Sequence, residues 1–168
     1  TRVQQIFIDV VRGTGGNNAK RLLIVAGYHT DITKTCSPQY KLPVDTVPHR
    51  MFISVHYYTP YQFCGLAEDA DWGKMMLTWG TSQDVSQLND LFDMMAKFSE
   101  RNDIPVYLGE FGVMKEKESA SRIRWMSSVM KASLRRKMVP VLWDTGGDIS
   151  RRPPHTPSTE LEQVLSGL

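Results

Sequence analysis

The sequence predicts an α/β fold with parallel strands, and three observations carry that prediction. Four short apolar runs, Leu22–Ala26, Met51–Val55, Val106–Leu108 and Val139–Trp143, are separated by stretches of helical periodicity. The runs do not alternate apolar with polar residues, which fits strands covered on both faces rather than half-solvated ones. Each run is followed at once by polar or aromatic side chains. Strands alternating with helices imply a parallel sheet with right-handed crossovers.

The elements follow in order. Val3, Ile6, Phe7 and Val10 stand at helical spacing over residues 3 to 11, with Gly15-Gly16 as a C-terminal stop. The first two strands come next, the second running into His56-Tyr57-Tyr58, and then a long loop, residues 59 to 80, rich in aromatics and glycine. Residues 84 to 99 form the clearest helix, with Val85, Leu88, Leu91, Phe92, Met95 and Phe98 on one stripe and Thr81 and Asp84 placed for a capping box. The third strand starts after Pro105. A helix over about 119 to 137 turns Ile123, Met126, Met130 and Leu134 inward, and its basic end, Arg135-Arg136-Lys137, suits the helix dipole. The fourth strand precedes an irregular surface loop, Ser150 to Pro157, and a short helix over about 158 to 166. The nine methionines read as core filler.

Composition narrows the function classes. The 168 residues suit one domain, and the net charge of +2 is spread over both signs, which points to neither nucleic acid nor a membrane surface as partner. No apolar run is long enough to span a bilayer, and no signal peptide is expected at Thr1-Arg2-Val3. Cys36 and Cys64 lack zinc-site spacing and read as free thiols in preference to a disulfide. The histidines lack metal-ligand spacing.

The strand ends carry the chemistry. Tyr28 and His29 follow the first run, His56 and Tyr58 the second, Glu110 the third, and Trp143-Asp144 close the fourth. Groups delivered by several strands to one edge mark an active-site face. Val106-Tyr107-Leu108-Gly109-Glu110-Phe111-Gly112 stands out, because a carboxylate is a poor strand former and here it ends an apolar run. Taken singly, His56 reads as a structural histidine, Trp143 as core and Asp144 as a loop cap. Together they suit sugar chemistry: a carboxylate to attack an anomeric carbon, a Tyr or His to orient it, and an indole as a platform for a pyranose ring.

Three ordered motifs, Ser54-Val55-His56-Tyr57-Tyr58-Thr59-Pro60-Tyr61, Gly109-Glu110-Phe111-Gly112 and Leu142-Trp143-Asp144-Thr145-Gly146, resemble glycoside hydrolase family 5, the retaining cellulases. The segment Thr14 to Arg21 resembles the link between that family's fourth and fifth strands. The resemblance implies a TIM (β/α)8 barrel, endo-β-1,4-glucanase activity on β-1,4-linked glucan by double displacement, no cofactor, and a secreted enzyme. By position it makes Glu110 the nucleophile, His56 and Tyr58 its sixth-strand companions, and Trp143 the sugar platform. Tyr61, Trp72, Trp79 and Asp144 are expected among the substrate-lining residues.

The whole of residues 1–168 aligns with the C-terminal half of such a barrel, strands five to eight, as a single partial domain. A full barrel needs roughly 200 to 400 residues. The Asn-Glu pair that supplies the general acid/base is expected on the missing half, and Thr145 stands where the family usually has Asn. Glu68, Asp69, Glu116 and Asp148 read as solvated loop charges rather than substitutes for that acid. An open four-stranded piece exposes two edges and an inner face, so the expected partner is the missing N-terminal half-barrel or a second copy in a homodimer. A non-catalytic or self-associating glucan-binding half-barrel is the alternative function.

Overall fold

The computed structural model describes residues 2–168. Its core is one four-stranded parallel sheet in sequence order: β1 (Leu23–Ala26), β2 (Met51–Tyr57), β3 (Val106–Phe111) and β4 (Val139–Leu142). The helices are α1 (Arg2–Gly13), α2 (Ile32–Thr35), α3 (Tyr61–Cys64), α4 (Ser82–Asn102), α5 (Ser119–Arg135) and α6 (Thr159–Ser166). The strands, α1, α4, α5 and α6 match the periodicity reading. The one-turn helices α2 and α3 do not show in sequence, because four residues are too few to display a helical period. Among the described residues no helix is long and apolar enough to cross a membrane.

Register divides the sheet into two unlike faces. The row Val25, Ile53, Val106 lies on one face, and all three residues are buried. On that face α4 contributes Leu88, Phe92 and Met95 and α5 contributes Trp125, Met126 and Val129 to one core. Tyr57 meets Phe92 edge-on at 5.0 Å between ring centroids and stacks on Trp125 at 5.7 Å, and Phe111 tilts against Trp125 at 6.2 Å. The Trp125 indole N–H donates to the Thr59 carbonyl at 3.1 Å, so the ring joins the core to the start of the long loop. In the opposite row Ser54 is buried, Tyr107 is half-buried, and Ala26 and Val139 are exposed, Val139 at 45%. A barrel's interior face looks like this when only part of the barrel is present.

Each helix is placed by local chemistry. Thr81 and Asp84 form the expected capping box at the start of α4. The inward face of α5 differs from expectation at one position: Leu134 is exposed, and Trp125, Val129 and Ser133 take the buried side with Met126. On α1 only Ile8 is buried; Val3, Ile6, Phe7 and Val10 face solvent, continuous in character with exposed Leu22 and Ile24 on the β1 edge. The helix is held instead by charge. Arg12 donates through Nε and Nη2 to both oxygens of Asp45, at 2.8 and 2.5 Å, and both side chains are buried. That bidentate contact holds the Asp45 carboxyl below the usual carboxylate range. The two cysteines are free thiols, and burial pushes Cys36 up to about 11.

Two outcomes test this packing. Leu108→Ala, at a fully buried position, is expected to cost about 2–5 kcal/mol in urea unfolding, whereas Leu134→Gln costs under about 0.5 kcal/mol. Because Asp45 is depressed, its pairing stabilises the fold fully above the unfolded pKa of about 3.9 and is lost as pH falls through the lower folded value. Asp45→Asn therefore flattens the acid limb of a stability–pH profile and lowers the plateau above it.

Candidate active site

Glu110 reaches the open face of the sheet by a local irregularity. Strand periodicity puts Tyr107 on the open face and Leu108 on the helix face, so an unbroken strand would turn Glu110 toward the core. The pairing of β2 with β3 runs Val55 to Leu108 and then His56 to Glu110, which leaves Gly109 as an extra residue. This bulge shifts the phase by one. Glu110 then shares the open face with His56, while Phe111 pairs with Tyr57 and enters the core at 0% exposure. The β3–β4 pairing skips in the same place, from Leu108–Pro140 to Phe111–Leu142. The extra residue is glycine for a steric reason: a Cβ there would lie 2.6 Å from Ser54 Oγ and 3.3 Å from the Tyr107 ring.

The residues expected beside Glu110 converge on one of its oxygens. Tyr58, just past β2, donates its hydroxyl to Glu110 Oε2 at 3.0 Å, and His56 Nδ1 lies 3.4 Å from the same atom. Among the described residues none donates to Oε1. Burial, and then the bond to Glu110, raise the Tyr58 phenol above its ordinary value, so it stays protonated and remains a donor. Side-chain exposure of 28% for both His56 and Glu110 leaves the pair reachable from solvent.

Beyond the ends of β3 and β4 lies a cleft of about 570 Å³, lined by Tyr58, Tyr61, Gly112, Trp143 and the loops that follow. Trp143 is 56% exposed, and its backbone N–H donates to the Phe111 carbonyl at 2.9 Å, one residue beyond Glu110. Tyr61 stands on α3 at the rim, tilted against exposed Trp72 with ring centroids 6.0 Å apart. Gly65 leaves room for the Tyr61 ring, since a Cβ there would fall 2.5 Å from it. Buried Lys117 fastens this corner, donating Nζ to the Gln62 carbonyl at 3.3 Å and to the Leu66 carbonyl.

Three expectations change. Trp79 is 3% exposed and packed in the hydrophobic core, so it offers no face to a substrate. Asp144 lines the cleft, but its carboxylate is taken up by its own loop: it accepts backbone N–H bonds from Gly146, Gly147 and Asp148 at 2.9 Å and from Ile149 at 3.1 Å. Burial raises that carboxyl, and the four donors together outweigh burial and hold it below its ordinary value. Asp148 is buried rather than solvated, and it pairs with Lys115 and Arg122. Sequence reading missed the bulge, although a glycine inside a strand run is its usual signal. It missed Lys115 and Arg122 because a charge network between distant segments leaves no local pattern.

The expected consequence of the bulge geometry is specific. Gly109→Ala pushes Ser54 or the bulge itself aside, costing about 1–3 kcal/mol in unfolding experiments and lowering turnover more than the lost stability explains.

The chain is similar to known proteins over most of its length. The family model described as cellulase (glycosyl hydrolase family 5) matches residues 1–148. A xyloglucan-specific endo-β-1,4-glucanase of Bacteroides ovatus is 33% identical over 159 residues, covering 84% of this chain and 31% of its own length. Endoglucanase A of Paenibacillus barcinonensis is 34% identical over 165 residues, covering 84% of this chain and 40% of its own. Among solved structures, a broad-specificity endoglucanase from an uncultured bovine rumen ciliate superposes with a TM-score of 0.84 at 32% identity, covering 98% of this chain and 53% of that one. The chain thus spans well under half the length of these curated relatives and about half of that solved barrel. The four parallel strands with their helices are part of a TIM-barrel architecture, and the chain belongs to glycoside hydrolase family 5, the cellulases.

Proposed function

We propose that this chain is the nucleophile-bearing half of an endo-β-1,4-glucanase that cleaves β-glucan with retention. The observation that carries the reading is the Glu110 constellation: a carboxylate at a strand end, with Tyr58 and His56 both on Oε2 and no donor on Oε1. In the first step Oε1 attacks the anomeric carbon as the glycosidic oxygen leaves with a proton from a second carboxyl group. Tyr58 and His56 fix the carboxylate and leave its free oxygen aimed at the sugar. In the second step water, deprotonated by that same second group, releases the glycosyl unit and restores Glu110. Trp143, exposed at the neighbouring strand end, serves as the apolar platform for the ring under attack, and Tyr61, with Trp72 packed against it, lines the flank of the cleft.

Retention requires two carboxyl groups about 5–5.5 Å apart. Glu110 is one, and the other belongs on the complementary half-barrel. Of the other acids lining the cleft, Asp144 is consumed by its loop and Asp148 by its cations, and Glu116 is an exposed loop charge. A polymeric substrate places the enzyme's work outside the cell. The second reading, a half-barrel that associates with another copy of itself and binds glucan, rests on the uncovered apolar edge of Leu22 and Ile24 and the exposed stripe of α1.

Hydrolysis of carboxymethylcellulose by the chain alone and by the chain joined to a complementary half separates the readings. The joined protein is expected to be active and the chain alone inactive. Glu110→Gln abolishes hydrolysis while leaving glucan affinity within about two-fold, and Tyr58→Phe lowers turnover about 10- to 100-fold by removing a hydrogen bond to a charged group. Activity confined to a dimer of the chain alone favours self-association, and hydrolysis that survives Glu110→Gln overturns the nucleophile role however the cleft is completed.

A further inference from the structure

A sugar platform has to present one face at a fixed height, yet Trp143 stands on an exit loop that has no regular secondary structure between β4 and α6. Its indole is more than half exposed, so its own packing does not fix it. Asp144 stiffens the loop from within through its four backbone bonds. A second set of contacts also reaches the loop, built from four charged side chains of four different segments.

Asp148, 7% exposed, closes the Trp143 loop. Its carboxylate accepts from Lys115 Nζ and lies 3.6 Å from Arg122 Nη2 on α5, and its carbonyl accepts the Ser158 N–H at 2.7 Å. Glu160 on α6 accepts from Arg122 Nη1, takes the Ser119 hydroxyl at 2.6 Å and lies 3.9 Å from Lys115 Nζ. Two cations face two carboxylates, so the cluster is neutral. Arg122 is 1% exposed, and a buried guanidinium that lost its carboxylates would be left uncompensated at high cost. The carboxylates are therefore held, and with Asp148 the loop that carries Trp143. Lys115 comes from the loop that leaves β3 after Phe111, the residue next to Glu110, and it also lines the cleft. The cluster thus ties the exit loop of the Glu110 strand to the exit loop of the Trp143 strand.

Buried ion pairs rarely add net stability compared with apolar packing, and their better-attested use is to fix one arrangement among several. We propose that the Lys115–Asp148–Arg122–Glu160 cluster is a positioning device that holds the Trp143 platform in register with Glu110, with Lys115 as the residue that joins the two loops. The inference rests on the reading of Trp143 as a sugar platform. It makes Lys115 a positioning residue for substrate binding, acting through Asp148.

The test uses the chain joined to its complementary half in a Trp72→Phe background, where Trp143 is the remaining exposed indole of this chain because Trp79 and Trp125 are buried. Affinity for cellotetraose, acrylamide quenching of Trp143, KM and kcat are measured for Trp143→Ala, Lys115→Met, Lys115→Arg and Glu160→Gln. Lys115→Met is expected to weaken affinity and raise KM about two- to five-fold, as befits a partly exposed ion pair, to leave kcat nearly unchanged and to increase quenching. Lys115→Arg restores all three. Lys115 is partly exposed, so its variants are expected to fold, and Glu160→Gln repeats the perturbation from the α6 side. If Trp143→Ala destroys affinity while Lys115→Met and Glu160→Gln leave affinity and quenching as in the parent, the positioning role is overturned and the platform stands. If Trp143→Ala itself leaves affinity intact, the platform reading falls and the inference falls with it.

Discussion

An extra residue at Gly109 makes two residues of β3 answer to one step of β2, and the direction of the Glu110 carboxylate depends on that mismatch. A period of two leaves only two choices, and without the bulge the carboxylate would enter the face where Val25, Ile53 and Val106 are buried. With it, the acid turns to the open face and Phe111 takes the core position instead. Steric room then favours glycine: a Cβ at that site would lie 2.6 Å from Ser54 Oγ, which would have to move aside. One backbone irregularity therefore decides which of two consecutive residues, an acid and an aromatic, enters the core.

The rest of the site is arranged around that carboxylate by its neighbours in the sheet. β2 supplies His56 at the register position facing Glu110 and Tyr58 just beyond, so both reach the same oxygen. β4 supplies Trp143, whose N–H continues the ladder to Phe111. The helix face, by contrast, does no chemistry. Its stack of Tyr57, Phe92, Phe111 and Trp125 makes the strands rigid, and rigidity is what allows side chains at strand ends to hold a geometry. Charge is used at the margins: Arg12 with Asp45 under α1, and Arg122 with Asp148 and Glu160 under the exit loops.

Local features were legible in the sequence and distant ones were not. The capping box of Thr81 and Asp84, the apolar stripe of α4 and the four strands each follow from spacing within a few residues. The grouping of His56, Tyr58, Glu110 and Trp143 followed from placing each at a strand end, which topology brings to one edge. Burial was harder. Trp79 looked like a loop aromatic and is core, Leu134 kept helical phase and is exposed, and the Val3–Val10 stripe faces solvent. In each case burial depends on segments far along the chain, which local spacing does not reveal. Asp148 illustrates the same limit for charge, since its cations come from residues 115 and 122.

The central claim is that Glu110 is the group that bonds to the sugar, and covalent trapping tests it most directly. In a 2-deoxy-2-fluoro-β-cellobioside the dinitrophenyl leaving group departs without protonation, so trapping does not depend on a general acid. Mass spectrometry of the digested chain is predicted to find one glycosyl adduct, on the peptide containing Glu110, absent from Glu110→Gln. An adduct on another residue, or equal labelling of the Gln variant, would contradict the account.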